Sequence, residues 1–289
     1  MIVASIPQSA ASVARHYDEL DVAYRRIWGE HVHHGYWRRG DETPEEASVA
    51  LVELVDEWLA LERGQAVCDI GCGYGATAAL LLRRHSITVT GLTLSAEQQR
   101  IGSARGAGFT CLRRDWMDNG LAAASFDRAY AIESSEHMED KARFFTEARR
   151  ILRSDGRLVV CAWLEGERVR PWAARHLLEP ICREGRLPSM GSRDDYVRLA
   201  SDAGFVLTGY QDISRQVRRT WYICLARLLK ALASDPAIRR LAFSRAVGSR
   251  DFMFSLPRLI LALRTGAMRY GIFRWDVVSP PASSGAIGR

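Results

Sequence analysis

At 289 residues and 47% hydrophobic content the chain can bury one sizeable α/β core and still carry a cap, while no apolar run reaches the roughly 18 residues of a membrane span. Its net charge of +6 is uneven, with 19 Lys and Arg against 23 Asp and Glu in residues 1–164 and 21 against 11 in residues 165–289. The basic second part fits solvated helix faces, and equally an anionic membrane surface, an anionic substrate or nucleic acid. Six cysteines (Cys68, Cys72, Cys111, Cys161, Cys182, Cys224) form no C-x-x-C pair, which argues against a zinc site or a disulfide framework and for reduced thiols. Met1–Ser5 does not read as a secretory leader, so a cytoplasmic protein is expected.

Residues 12–28 and 44–61 carry helical periodicity, the second with Leu51, Leu54, Val55, Trp58 and Leu59 on one face and a Thr43-Pro44 start. Residues 1–62 therefore read as a helical unit of their own. From 63 to 164 β and α elements alternate. Strands are expected at Ala66 to Ile70, Thr88 to Leu92, Phe109 to Leu112, Phe126 to Ile132 and Leu158 to Ala162, with helices at Ala76 to Arg84, Ala96 to Ala104 and Lys141 to Leu152. That order predicts a Rossmann-like parallel sheet covered on both faces, with ligands at the C-terminal strand ends. After Trp163 the spacing of Pro171, Pro180 and Pro188 predicts a loop-rich insert, then a helix capped by Ser192 and a strand from Phe205 to Tyr210. Apolar stretches at Trp221 to Leu232 and Phe252 to Leu263 predict a helical cap, followed by a last strand near Ile272 to Val278 and a frayed tail after Pro280. Residues 165–289 thus read as a substrate cap together with the final strands of the sheet.

The stretch Val67-Cys68-Asp69-Ile70-Gly71-Cys72-Gly73-Tyr74-Gly75 is a hydrophobic strand that ends in an acid and enters a glycine turn. A dinucleotide site would continue G-x-G-x-x-G and place a pyrophosphate on the helix N-terminus. Here the third glycine comes one residue early, with Ala76 in its place, which favours a ligand without phosphates: S-adenosylmethionine rather than NAD. Asp69 can meet an ammonium, while Gly71 and Gly73 allow close backbone contact. After the second strand Thr93, Leu94 and Gln98 stand where a dinucleotide enzyme would hold its ribose with an acid, and Ser95 reads as a helix cap. Asp115 and Trp116 suit the amino group and ring of an adenine, although Trp116 fits an ordinary core position too.

Glu133-Ser134-Ser135-Glu136-His137-Met138-Glu139-Asp140-Lys141 and Ile27-Trp28-Gly29-Glu30-His31-Val32-His33-His34-Gly35-Tyr36 resemble the E-S-x-E-H-M-x-D-K and W-G-x-H-x-H-H-G-Y segments of the gamma-tocopherol methyltransferase family. Gly91 to Gln98, Leu187-Pro188 and Asp195-Tyr196-Val197 add to the resemblance, which is shared with sterol C-methyltransferases, cyclopropane-fatty-acid synthases and bacterial natural-product methyltransferases. It implies a class I methyltransferase Rossmann-like sheet with an N-terminal helical lid and a C-terminal helical cap. It also implies S-adenosylmethionine as cofactor, with Tyr17, His33 and His34 in a lid over its methionine end, Ile132 beside it, and Glu133 facing the methyl. Glu133, Glu136 and His137 are all candidates for the base. A structural role for Glu136 and His137, near a helix start, stays open. His31, His33 and His34 are poorly spaced for zinc, and no metal is expected. Tyr36, Trp163, Trp172 and Trp221, with Tyr222, Phe252 and Phe254, suit a pocket for a hydrophobic small molecule such as a phenol, a terpenoid or another natural-product intermediate. O-, C- and N-methylation all stay open, as does the oligomeric state. No nucleic acid is expected, and the basic cap fits peripheral contact with an anionic membrane. The competing readings are a NAD-dependent oxidoreductase and a non-catalytic methyltransferase-like binding module.

Overall fold

The computed structural model describes residues 1–244, 251 and 255–278. The elements run β1 (Ile2–Val3), α1 (Ala10–Ile27), α2 (Pro44–Leu59), β2 (Ala66–Ile70), α3 (Ala76–Arg84), β3 (Thr88–Thr93), α4 (Ala96–Gly102), β4 (Phe109–Arg113), β5 (Phe126–Ile132), α5 (Lys141–Ile151) and β6 (Leu152–Glu165). They continue with α6 (Pro171–Ala173), α7 (Glu179–Glu184), β7 (Ser189–Met190), α8 (Arg193–Asp202), β8 (Phe205–Asp212), α9 (Ser214–Val217), α10 (Arg219–Ser234), α11 (Pro236–Phe243), α12 (Leu256–Thr265) and β9 (Met268–Val277).

Among the described residues the main sheet has seven strands in the order β4-β3-β2-β5-β6-β9-β8. Strands β4 to β6 pair in parallel, and β9 is antiparallel to both β6 and β8. The chain moves outward from β2 to β3 and β4, then returns to β5 on the other side of β2. The crevice at the C-terminal end of β2 is therefore the topological switch point, where open α/β sheets bind their ligands. Alternation along β6 builds a core on each face: Val159, Cys161 and Trp163 join the cluster containing α1, α2 and the cap, while Leu158, Val160, Ala162 and Leu164 join Phe144, Phe145, Tyr196 and Trp275. Trp163 is thereby aimed at the cap by strand periodicity.

The structure departs from the expected elements in two places. The insert is helical rather than loop-rich: Pro171 stands in the first turn, where a missing N–H is harmless, and Pro180 lies farther along the same helical run. The turns before Pro180 widen into a π-segment, Ala174–Leu178. The N-terminus also forms a strand, β1 pairing antiparallel with β7, and its ammonium reaches Glu165 at 3.0 Å and Asp195 at 3.5 Å. Phe252, Phe254 and the tail after Pro280 lie outside the described residues. No helix among the described residues is long and apolar enough to cross a membrane.

Candidate active site

The glycine turn is shaped by what lies beneath it. Gly71 has φ +82°, and a Cβ there would stand 2.3 Å from the Cβ of Ser134, whose hydroxyl donates to the Ile70 carbonyl. Glycine is required because the end of β5 passes so close. Asp69, 2% exposed at the end of β2, accepts from the Tyr130 hydroxyl at 2.7 Å. Burial raises its carboxyl to about 7 against the lowering effect of that bond.

Three adjoining hollows open at these strand ends. The largest encloses about 900 Å³, open mouth included. Gly71 and Gly73 form its floor, Thr93, Leu94 and Gln98 one wall, and Asp115 and Trp116 its far end; Ile132, Glu133, His137 and Tyr17 close the near end. Thr93 donates to Gln98 Oε1 at 2.6 Å, and Ser95 caps α4 by accepting from the Gln98 N–H at 3.1 Å. Asp115 accepts from the Met117 N–H at 2.9 Å, while Trp116 donates to the Phe144 carbonyl at 3.3 Å and is nearly all core.

A second hollow of about 370 Å³ shares Gly71, Gly73 and Ile132 with the first and is lined by Asp69, His31 and His33. His33 Nδ1 lies 2.8 Å from the His34 carbonyl, which can only accept, so Nδ1 carries the proton. That leaves His33 Nε2, buried and without a hydrogen-bond partner, as a bare acceptor; His31 Nδ1 is likewise buried and unpartnered. Burial lowers both imidazoles, His31 to about 3, so they stay neutral. A carboxylate and an imidazole lone pair beside a glycine floor fit the ammonium tail of S-adenosylmethionine, with Gln98 and Asp115 available to its nucleoside.

The third hollow, about 450 Å³, is walled by Tyr24, Trp28, Trp163, Trp221 and Leu187, with Glu136 at its edge. Tyr17, Val32, Glu133 and His137 line both this hollow and the first, so the two meet there.

Glu133 occupies that junction in a left-handed conformation, φ +53°. Its carboxylate receives four donors: the His34 backbone N–H at 2.7 Å, His34 Nδ1 at 2.9 Å, the Tyr270 hydroxyl at 2.8 Å and Trp163 Nε1 at 3.0 Å. Burial alone would raise its carboxyl, but the His34 imidazole and these bonds outweigh it and hold the group at about 2. Glu136 goes the other way. Burial lifts it to about 7, opposed by the Trp163 N–H at 2.6 Å and the Ser135 hydroxyl at 3.0 Å. Ser135 in turn meets the Tyr196 hydroxyl at 2.9 Å, which ties this turn to α8. Burial brings His137 down to about 4. Its Nδ1 lies 3.2 Å from the Arg186 carbonyl and so bears the proton, leaving Nε2 to accept from the Tyr17 hydroxyl at 2.9 Å. The Lys141 ammonium donates to the Ser189 carbonyl and hydroxyl at 2.9 and 3.0 Å, bracing the same turn from below.

The expected residues do not all reach the cleft. Trp172 is 58% exposed and faces His176, its ring centroid 5.8 Å away, because the helical insert turns it outward. Tyr36 is buried in the core, with its N–H on the Ala47 carbonyl, and lines none of the three hollows. His34 turns away from the cofactor hollows into a cage of Trp163, Trp221 and Tyr270 and reaches Glu133 instead. Tyr24, Trp28 and Tyr270 are at the site without having been singled out by sequence. Trp28 lies within the W-G-x-H-x-H-H-G-Y segment, whereas Tyr270 carries no local signal beyond its place in a strand. Among the described residues no three His, Cys, Asp or Glu side chains converge as a metal site would require.

A glycine turn at the switch point, an acid near the end of β2 and a cleft lined by Thr93, Gln98 and Asp115 are the layout of a class I S-adenosylmethionine-dependent methyltransferase. The chain belongs to the mycolic acid cyclopropane synthetase family, whose model matches residues 5–245. It is similar to the chloroplastic tocopherol O-methyltransferase of Arabidopsis thaliana, 26% identical over 90% of this chain and 80% of that protein. An O-methyltransferase of Aspergillus nomiae is 31% identical over 72% of this chain and 95% of its own length. Among solved structures, mycolic acid cyclopropane synthase CmaA1, complexed with SAH and CTAB, is 25% identical with a TM-score of 0.81 over 94% of this chain and 99% of that one. The chain is thus an enzyme with S-adenosylmethionine as methyl donor, and the oxidoreductase reading finds no support. Its third glycine, Gly75, is the N-cap of α3 in the left-handed region, packed so closely that a Cβ there would meet the Phe109 ring.

Proposed function

We propose that this enzyme methylates a hydroxyl on a hydrophobic acceptor that carries a hydrocarbon tail. The observation that supports this most is the junction at Tyr17, Val32, Glu133 and His137, where the large cofactor hollow opens into a smaller one walled by aromatic rings. Tyr24 and Trp28 also border a narrow apolar crevice formed by Leu20, Ala23, Ile27, Leu228 and Leu256, which continues the aromatic wall with aliphatic side chains. The similarity to O-methyltransferases of plant and fungal origin points the same way.

Bound S-adenosylmethionine supplies an electrophilic methyl on a sulfonium. Asp69 and His33 would hold its ammonium end, the glycine floor would let it lie against backbone, and Thr93, Leu94, Gln98, Asp115 and Trp116 would hold its nucleoside. Glu133, already an anion with four donors, offers a fixed negative field beside the junction and keeps His34, Trp163 and Tyr270 in register. Of the three candidate bases, Glu136 is the strongest, at about 7 against about 4 for His137 and about 2 for Glu133, and it lines the acceptor hollow. Glu136 takes the hydroxyl proton as the oxygen is methylated, while the Tyr17–His137 pair closes the junction against water.

Turnover on a panel of phenols and alcohols with increasing tail length tests both parts. Glu136→Gln should keep its affinity for SAH, lose roughly 10²-fold in kcat and lose the rising limb of the pH profile near 7. Full turnover in that variant would remove Glu136 from the proton's path.

We also infer that the cap rests on anionic lipid to collect such acceptors. Tyr222, Ala226 and Leu229 form an exposed stripe along α10 that ends in Lys230, and Arg239 and Arg240 are exposed on α11.

A further inference from the structure

Two thiols that take no part in methyl transfer meet beside the cofactor's tail pocket. Cys72, in the glycine turn, has its Sγ 3.8 Å from the Sγ of Cys111 on β4. Strand β3 runs between β2 and β4, and the residue paired with Cys111 there is Gly91. A Cβ at Gly91 would stand 2.8 Å from Cys72 Sγ, and one at Gly102 2.9 Å from Cys111 Sγ. Two absent side chains therefore leave the sulfurs facing each other across the strand. Cys72 also lines the hollow formed by Asp69, His33 and Gly73, so one thiol of the pair can be reached from the cofactor site.

We propose that Cys72 and Cys111 form a peroxide-sensitive dithiol whose oxidation to a disulfide switches off cofactor binding. The proposal rests on the assignment of the adjoining hollows to S-adenosylmethionine. The Cys72 sulfur, which lines the hollow, attacks one peroxide oxygen as its thiolate and becomes a sulfenic acid while the O–O bond breaks and the other oxygen takes up a proton and leaves as water. The Cys111 sulfur then displaces the sulfenic oxygen as a second water, so that two thiols lose two electrons and two protons to one peroxide. A disulfide of about 2.05 Å requires the sulfurs to close by roughly 1.8 Å. Cys111 is fixed by its strand. The movement falls on the Gly71-Cys72-Gly73 turn, the floor on which the cofactor lies, and bound cofactor in turn covers Cys72.

The test uses the full chain, hydrogen peroxide as oxidant and SAH as the probe. Calorimetric titration before and after oxidation should show at least about a tenfold loss of SAH affinity, restored by dithiothreitol. Peptide mass mapping should find a Cys72–Cys111 link that is 2 hydrogens lighter, and saturating SAH should slow its formation. Cys111→Ser should bind SAH like the reduced parent and keep that affinity in peroxide; Cys111→Ala serves if the serine variant folds poorly. Absence of the linked peptide, or a linked protein with unchanged SAH affinity, overturns the proposal. Failure of the cofactor assignment would look different, since the reduced protein would then not bind SAH at all.

Discussion

Glu133 concentrates the chemistry of the site in one side chain. Four donors from His34, Trp163 and Tyr270 converge on it, so replacing one carboxylate oxygen by an amide NH₂ sets donor against donor. Glu133→Gln should cost about 1–3 kcal/mol, read as a lower urea midpoint. The pH dependence follows from the signs. Glu133 sits at about 2 when folded against an ordinary 4.5, so its contribution is complete above 4.5 and is lost as pH falls towards 2. Between 4.5 and 6.5 the folded state binds fewer protons at His137, His16 and His31, lowered to about 4, 3 and 3, and more at Glu136 and Asp69, each raised to about 7, so the slopes of the two sets oppose each other. The variant should therefore flatten the acid limb below pH 4.5 and leave the neutral region nearly unchanged. Gly71 supplies a second residue-scale test. Gly71→Ala combines φ +82° with a Cβ 2.3 Å from Ser134 and should abolish measurable SAH binding, whereas Gly73→Ala, with open space around its Cβ, should weaken it less. Equal calorimetric affinities for the two variants would contradict the steric account.

At the scale of elements, α1 is the lid, and two acids one turn apart fasten it. Asp18 accepts from Ser95, the cap of α4, at 2.5 Å, and Asp21 accepts from the Tyr74 hydroxyl at 2.6 Å. Tyr74 belongs to the glycine turn, so the lid and the cofactor floor share a hydrogen bond. A capping box between Ser9 and Ser12 starts the helix, and Arg25 also binds Asp21. Tyr74→Phe leaves Asp21 its arginine but frees the lid from the floor. The expected result is faster tryptic cleavage at Arg25 and Arg26 and a several-fold weaker affinity for SAH, with the core's thermal midpoint little changed. Cleavage at the parental rate would place the hold on the lid elsewhere, in the apolar contacts of Leu20, Tyr24 and Ile27.

The chain is electrically lopsided, residues 1–164 being acidic and residues 165–289, which supply α6 to α12 as well as β8 and β9, basic. With the exposed Tyr222 and Leu229 stripe on α10, that arrangement predicts binding to vesicles containing anionic lipid, little binding to neutral ones, and a fall as salt shortens the reach of each charge. Co-sedimentation measures this directly. Equal and negligible binding to both kinds of vesicle at low salt would leave the arginines as a solvated surface.

Local rules were enough to read the α/β alternation, the glycine turn, Asp69 at a strand end and Ser95 as a cap, because each depends on residues a few positions apart and on periods of 2 or 3.6. The same rules could not see that the insert is helical, since prolines read as breakers, yet Pro171 starts the run and Pro180 follows its π-segment. Nor could they see that Trp172 faces solvent, that Tyr36 is core, or that β1 pairs with β7. The character of the candidate bases lies furthest from sequence. Glu133 and Glu136 are the same residue type three positions apart, yet one is held at about 2 and the other at about 7. The difference is made chiefly by His34, 99 residues away along the chain, with His33 beside it, which the fold brings to one carboxylate and not to the other.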